Sequence, residues 1–185
     1  MNAAGSKKDA PMALPKLTLV LGGASSGKSV FAETLVLASG LAPVYIATAQ
    51  IWDTEMAAKV AAHKAQRGPG WLTIEEPVAV DTVLAGLSAG QAVLIDCATL
   101  WLTNLILSQA DLIQAENQLL AAIAACPAPV VIVSNEVGMG IVPDNALARQ
   151  FRGAQGGLNR RLATQAALVV TVIAGLPLVL KGQLP

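Results

Sequence analysis

GGASSGKS, Gly22–Ser29, follows the apolar run LTLVL, Leu17–Leu21. Its spelling is Gly, four residues, Gly-Lys-Ser. Preceded by a strand and followed by a helix, that spelling predicts a phosphate-binding loop (P-loop). The glycines let main-chain N–H groups approach phosphates, and a helix N-terminus adds favourable partial charge. Lys28 supplies a mobile cation for the outer phosphates, and the Ser29 hydroxyl can ligate Mg²⁺. A plain glycine-rich turn is the alternative. The stretch leaves the fate of the phosphate open: hydrolysis to drive motion, transfer to a substrate, or temporary attachment to the protein.

Outward from the loop, apolar strands alternate with helical patterns. A helix is predicted from Lys28 to about Ala38, a strand over Pro43–Thr48, and a helix over TEMAAKVAAHKAQ, with Met56, Val60 and His63 at helical spacing. GPGW stops that helix, and WLTIEE reads as a short strand. A helix over about Ala79–Leu87, a strand over Ala92–Cys97, and two helical stretches up to Ala125 follow. Next come a strand over Ala128–Asn135, a helix from about Asp144 to Gln165, and two closing strands, ALVVTVIA and LPLVLK. This order predicts an α/β fold with a mainly parallel sheet covered on both faces. The last two strands lie too close for a helical crossover and are expected to pair as an antiparallel hairpin. Residues 1–16 read as a mobile tail and 17–185 as one domain.

Composition narrows the classes. Of 185 residues, 54% are hydrophobic and 13% charged, which argues against disorder. Mean hydropathy is +0.58, so a membrane span has to be considered. The longest candidate, Ala166–Leu180, is shorter than the ~20 residues a spanning helix needs and is broken by Gly175 and Pro177. Two buried strands with a turn account for it. Lys plus Arg equals Asp plus Glu at 12 each, and aromatics are 3%, so neither a basic nucleic-acid footprint nor a stacking surface is supported. The N-terminus lacks a secretory h-region, and Cys97 and Cys126 have no metal-type spacing, so a reduced, cytoplasmic chain is expected.

A carboxylate on the Mg²⁺ side of a P-loop is expected at the end of a neighbouring strand. VLIDC offers Asp96 there, though a capping Asp is an alternative reading. His63 is the only histidine. A neutral imidazole can attack phosphorus and carry it covalently, and Lys64 and Arg67 beside it can hold a polyphosphate. A lone helical His is also commonly a bystander.

The stretch VYIATAQIWDTEMAAKVAAHKAQRGPGWLTIEEP resembles the segment after the P-loop in the bifunctional adenosylcobinamide kinase/adenosylcobinamide-phosphate guanylyltransferase family. Matching features are Gly22–Ser29, Ile46–Thr48, Asp53/Glu55/Met56, His63-Lys64, Arg67, Trp71/Thr73/Glu75, and NEVGMGIVP at Asn135–Pro143. Arg149, Phe151-Arg152, Asn159-Arg160 and the ending GLPLVLKG also match, so the resemblance spans about Leu17 to Gly182. It implies a RecA-like P-loop fold and two reactions. Adenosylcobinamide is first phosphorylated from ATP or GTP. GTP then guanylylates a histidine, and GMP passes to adenosylcobinamide phosphate. The matching histidine is His63. By position, the resemblance assigns GTP contacts to Gly22, Gly23, Ala24, Ser25, Ser26, Gly27, Lys28, Ser29, Ala47, Thr48, Ala49, Lys64, Ala65, Gln66, Arg67, Glu75 and Asp96. Mg²⁺ is expected at Ser29 and Asp96. Few charges and many apolar residues predict a homo-oligomer, and the resemblance suggests a trimer. In this chain Ala62 replaces the first of two adjacent histidines found in some members, and Asp96 stands where some carry Glu.

Other matched residues stay open at this stage. Glu136 reads as a base, a metal contact or part of a structural loop. Arg149 and Arg152 share a helix face and suit phosphate, a neighbouring subunit or solvent. Trp52, Trp71 and Trp101 suit core or subunit packing better than a corrinoid surface. A small-molecule kinase without a covalent step is the main alternative function, and an NTP-driven switch of the RecA type is another.

Overall fold

The computed structural model describes residues 12–50 and 54–185; in the second helix the side chains of residues 55, 56, 59, 60, 62, 63 and 66 fall outside that description. The elements run β1 (Leu17–Gly22), α1 (Lys28–Ala38), β2 (Ala42–Ala47), α2 (Thr54–Arg67), β3 (Leu72–Glu75), α3 (Val80–Ala85) and β4 (Gln91–Asp96). They continue with α4 (Ala98–Leu107), α5 (Leu112–Ala125), β5 (Val130–Asn135), α6 (Ala146–Gln165), β6 (Leu168–Ile173) and β7 (Leu176–Lys181). Each predicted element is present. The expected Trp52 and Asp53 positions lie outside the described residues.

One seven-stranded sheet has the order β3-β2-β4-β5-β1-β6-β7. All pairs are parallel except β6–β7, the expected antiparallel hairpin. Strand alternation then sorts side chains between two cores. Val44 and Ile46 of β2, with Val93 and Ile95 of β4, face the core that includes residues of α3, α4, α5 and α6. Tyr45 and Leu94 face the opposite core, where Ala32, Leu35 and Val36 of α1 pack. No helix among the described residues is long and apolar enough to cross a membrane.

Two expectations need correction. The closing strands are not both buried: β6 is, but Leu176, Leu178 and Leu180 of β7 are exposed. β7 is the end strand of the sheet, with β6 as its one neighbour in it. Residues 1–11 of the expected tail lie outside the described residues, but Met12 and Leu14 pack against the α1-side core, and the Met12 N–H donates to Ala38 O. Packed chain therefore begins before Leu17.

Candidate active site

Register places the predicted residues along one edge. Parallel strands end together, and open α/β sheets bind ligands outside their carboxyl ends. Gly22 pairs with Asn135, Asp96 with both Val133 and Ala47, and Ala47 with Glu75. The phosphate loop, Asp96, the Ala47–Ala49 segment and Glu75 thus share this edge.

The loop turns tightly from β1 into α1. Gly27 is the α1 N-cap with φ 91°, and no side chain caps the helix. Its first N–H groups are therefore open to an anion. Glycine is required at Gly27: a Cβ there would lie 3.1 Å from Gly175 Cα, at a φ that L side chains rarely adopt. Three main-chain or lysine bonds brace the loop. Glu136 N–H donates to Gly22 O (3.1 Å), Gly175 N–H donates to Ser26 O (2.8 Å), and Lys28 Nζ donates to Gly23 O (2.8 Å). Gly175 belongs to the β6–β7 turn, where Ala174 and Gly175 both have positive φ, as two-residue hairpins prefer. Ser26 Oγ is buried without a partner. Burial lowers the Lys28 ammonium pKa below its usual value, while proximity to Cys97 and Asp96 opposes that pull.

Across the edge, the Tyr45 hydroxyl donates to Asp96 Oδ2 at 2.9 Å. The Arg67 guanidinium lies over the Tyr45 ring, 3.4 Å from its centroid. Lys64 Nζ donates to Glu75 Oε1 at 2.6 Å in an exposed ion pair. Lys64, Arg67, Trp71, Thr73 and Glu75 line a cavity of about 440 Å³. His63 sits on α2 one turn before Arg67; its side chain, with that of Gln66, lies outside the described residues. Ala65 is exposed.

The structure assigns firm structural work to several predicted residues. Thr48 is fully buried; its hydroxyl donates to Cys97 O and accepts from Cys97 N–H, each at 2.8 Å. It locks the Ala47–Ala49 segment to the turn after Asp96. Cys97 caps α4, and burial pushes its thiol up to about 11, which leaves it inert. Glu136 Oε1 accepts from Gly138 N–H within its own loop. Arg149 donates to the carbonyls of Pro143 and Asp144, and Arg152 to that of Gly138. Both arginines clamp the Asn135–Pro143 loop onto α6. Beneath it, Ser134, Gln155 and Asn159 form a buried network that also reaches Asn135 O. Trp101 is core, with its indole N–H donating to Val78 O.

Sequence reasoning missed two neighbours of Asp96. Tyr45 was read only as part of a strand. Glu33, on α1 one turn after Ser29, is 8% exposed. Burial raises its carboxyl pKa, Arg67 draws it down and Asp96 pushes it up again. The available signal was α1 periodicity, which puts Glu33 on the face of Ala32 and Val36.

Residues 18–180 match the family described as cobinamide kinase / cobinamide phosphate guanyltransferase. The chain is 44% identical over 168 residues to the bifunctional adenosylcobalamin biosynthesis protein CobP of Pseudomonas aeruginosa, covering 89% of this chain and 97% of that one. It is also 44% identical over 183 residues to the corresponding CobU protein of Salmonella typhimurium, covering 89% and 99%. A crystal structure of the flagellar accessory protein FlaH from Methanocaldococcus jannaschii superposes with a TM-score of 0.52 at 14% identity, over 92% of this chain and 80% of that one; it shares the fold alone. The molecule is a nucleotide-binding enzyme with a RecA-like P-loop fold. This chain belongs to the cobinamide kinase / cobinamide phosphate guanyltransferase family, and its function is that of a bifunctional kinase and guanylyltransferase of adenosylcobalamin biosynthesis.

Proposed function

We propose that the nucleotide phosphates lie in the Gly22–Ser29 loop of a single domain that includes residues 17–185, and that His63 carries GMP between the two substrates. The observation supporting this most is the shared edge: Asp96 lies close enough to Lys28 to act on its charge, while α2, bearing His63, docks its last residue on Tyr45, the hydrogen-bond partner of Asp96. In the kinase step the aminopropanol hydroxyl of adenosylcobinamide attacks the γ-phosphorus of ATP or GTP and gives up its proton to solvent. A P–O bond forms, and the bond to the nucleoside diphosphate breaks. Lys28 and the open N–H groups of α1 stabilise the charge on the transferring group.

In the guanylyl step a His63 ring nitrogen attacks the α-phosphorus of GTP. A P–N bond forms and pyrophosphate leaves. A phosphate oxygen of adenosylcobinamide phosphate then displaces the imidazole, forming the P–O–P linkage of adenosylcobinamide-GDP. Reaction requires the imidazole to come within ~3–3.5 Å of phosphorus. Lys64 and Arg67 suit the polyphosphate, and Ala47–Ala49 and Glu75 the rest of the nucleotide. Ser29 and Asp96 offer hard oxygen donors that fit Mg²⁺, since Asp96 gives only Oδ2 to Tyr45. Mg²⁺ held there would offset phosphate charge. The proposed state is a homo-oligomer, and exposed Leu176, Leu178 and Leu180 favour that state.

The test uses GTP labelled at the α-phosphate. The wild type should acquire acid-labile, alkali-stable label, and His63→Ala should acquire none while still phosphorylating adenosylcobinamide. An unlabelled wild type that binds GTP would overturn the covalent step and leave a kinase alone.

A further inference from the structure

Tyr45 touches both halves of the edge. Its hydroxyl donates to Asp96 Oδ2, its ring face carries the Arg67 guanidinium, and Trp71 meets it edge-on with centroids 6.0 Å apart and planes at 88°. It is 5% exposed, on the α1 side of β2. A buried phenol needs a hydrogen-bond partner, and here that partner is a carboxylate beside the phosphate loop. The bond fixes one oxygen of Asp96. The ring face, negative by its quadrupole, attracts the guanidinium. Trp71 restrains the plane of that ring from the side. Arg67 is the last residue of α2, so the position of the stack helps define where this helix ends.

We infer that Tyr45 is a positioning residue that sets α2, and with it His63, against Asp96 and the phosphate loop. This rests on the roles proposed above for His63 and Asp96. Tyr45 is not an acid or base in the reaction: burial and Asp96 drive its hydroxyl pKa upward, so it remains a fixed donor. Glu33, on α1, stands near enough to Arg67 for the guanidinium charge to act on its carboxyl. A lysine at position 67 would keep the charge but lose the planar face that stacks.

Tyr45→Phe removes the hydroxyl and keeps the ring; Tyr45→Leu removes both. The α-label rate should fall on the order of ten- to a hundredfold in Tyr45→Leu and in Arg67→Lys, the scale expected for misplacing a reacting group by ~1 Å. Tyr45→Phe should label at least several-fold faster than Tyr45→Leu and require several-fold more Mg²⁺ for half-maximal kinase activity. The double variant Tyr45→Leu/Arg67→Lys should be no slower than the slower single, because both singles lose the same ring–guanidinium stack. Additive losses in the double variant, or wild-type labelling by Tyr45→Leu, would overturn the inference. If the wild type takes no label, the His63 reading fails by itself. The Mg²⁺ titration of Tyr45→Phe then decides, and an unchanged requirement sinks the positioning role.

Discussion

The phosphate loop is braced largely by main chain, from the residue after β5, Glu136, from the β6–β7 turn through Gly175, and by its own Lys28 on Gly23 O. Helix α2 reaches the same edge through side chains: Arg67 on Tyr45 and the exposed Lys64–Glu75 pair. The contrast separates two ways of placing chemistry. Main-chain bracing makes one glycine indispensable, because its backbone angle and the neighbouring backbone are both fixed. Side-chain docking can be retuned by single substitutions without disturbing the sheet.

Gly27→Ala should have the largest effect, because it breaks the braced half. A left-handed conformation costs roughly 1–2 kcal/mol outside glycine, and the new Cβ presses on Gly175. Nucleotide affinity should fall by about tenfold or more, measured by calorimetric titration, with both transfer activities falling together.

Glu33→Gln sharpens the comparison at the junction of the two halves. Burial raises the Glu33 pKa above 4.5 in the folded protein. A raised carboxyl favours the protonated folded form, so its contribution is fully present below the unfolded pKa and is lost as pH rises through the folded value. The glutamine variant should therefore show a flatter melting temperature against pH in the window above 4.5, and an equal or higher one at pH 7. Thermal melts across pH 4–8 read this directly; an unchanged slope would show that Glu33 does not titrate as its burial implies.

Glu75→Gln should matter least to stability. Hydrogen bonding to Lys64, followed by its charge, lowers the Glu75 pKa. That contribution is present above the unfolded pKa and lost as pH falls through the folded value. The pair is exposed, so the loss should be under ~1 kcal/mol and should shrink further in salt. Denaturant titration at low and high ionic strength checks it.

The braced half was largely legible. The Gly-x4-Gly-Lys-Ser spelling, the apolar strand before it and the closing hairpin each follow from local rules, and Asp96 follows from the strand it ends. The docking half was less so. Period-two alternation says which face Tyr45 takes but not that a guanidinium from another element covers its ring. The periodicity of α1 puts Glu33 on the face of Ala32 and Val36, but it does not say that Arg67 of another helix comes near it. Arg149 and Arg152 share a face by spacing alone, but their acceptors are carbonyls of an irregular loop, whose path no periodicity encodes. The exposure of β7 follows from its place at the end of the sheet, which its apolar sequence does not announce.

The strand that leads into the phosphate loop, β1, is also an interior strand, flanked by β5 and β6, which come after it in the sequence. During synthesis, β1 leaves the ribosome with both edges bare, and about 110 residues separate it from its first partner. A nascent chain can carry the full Gly22–Ser29 spelling without the Gly175 brace. A product stopped before residue 168 would lack one neighbour of β1 and present an open apolar edge to other chains. Nucleotide capture is therefore expected only once β6 and its turn have been made, although its signature is translated about 110 residues before β5.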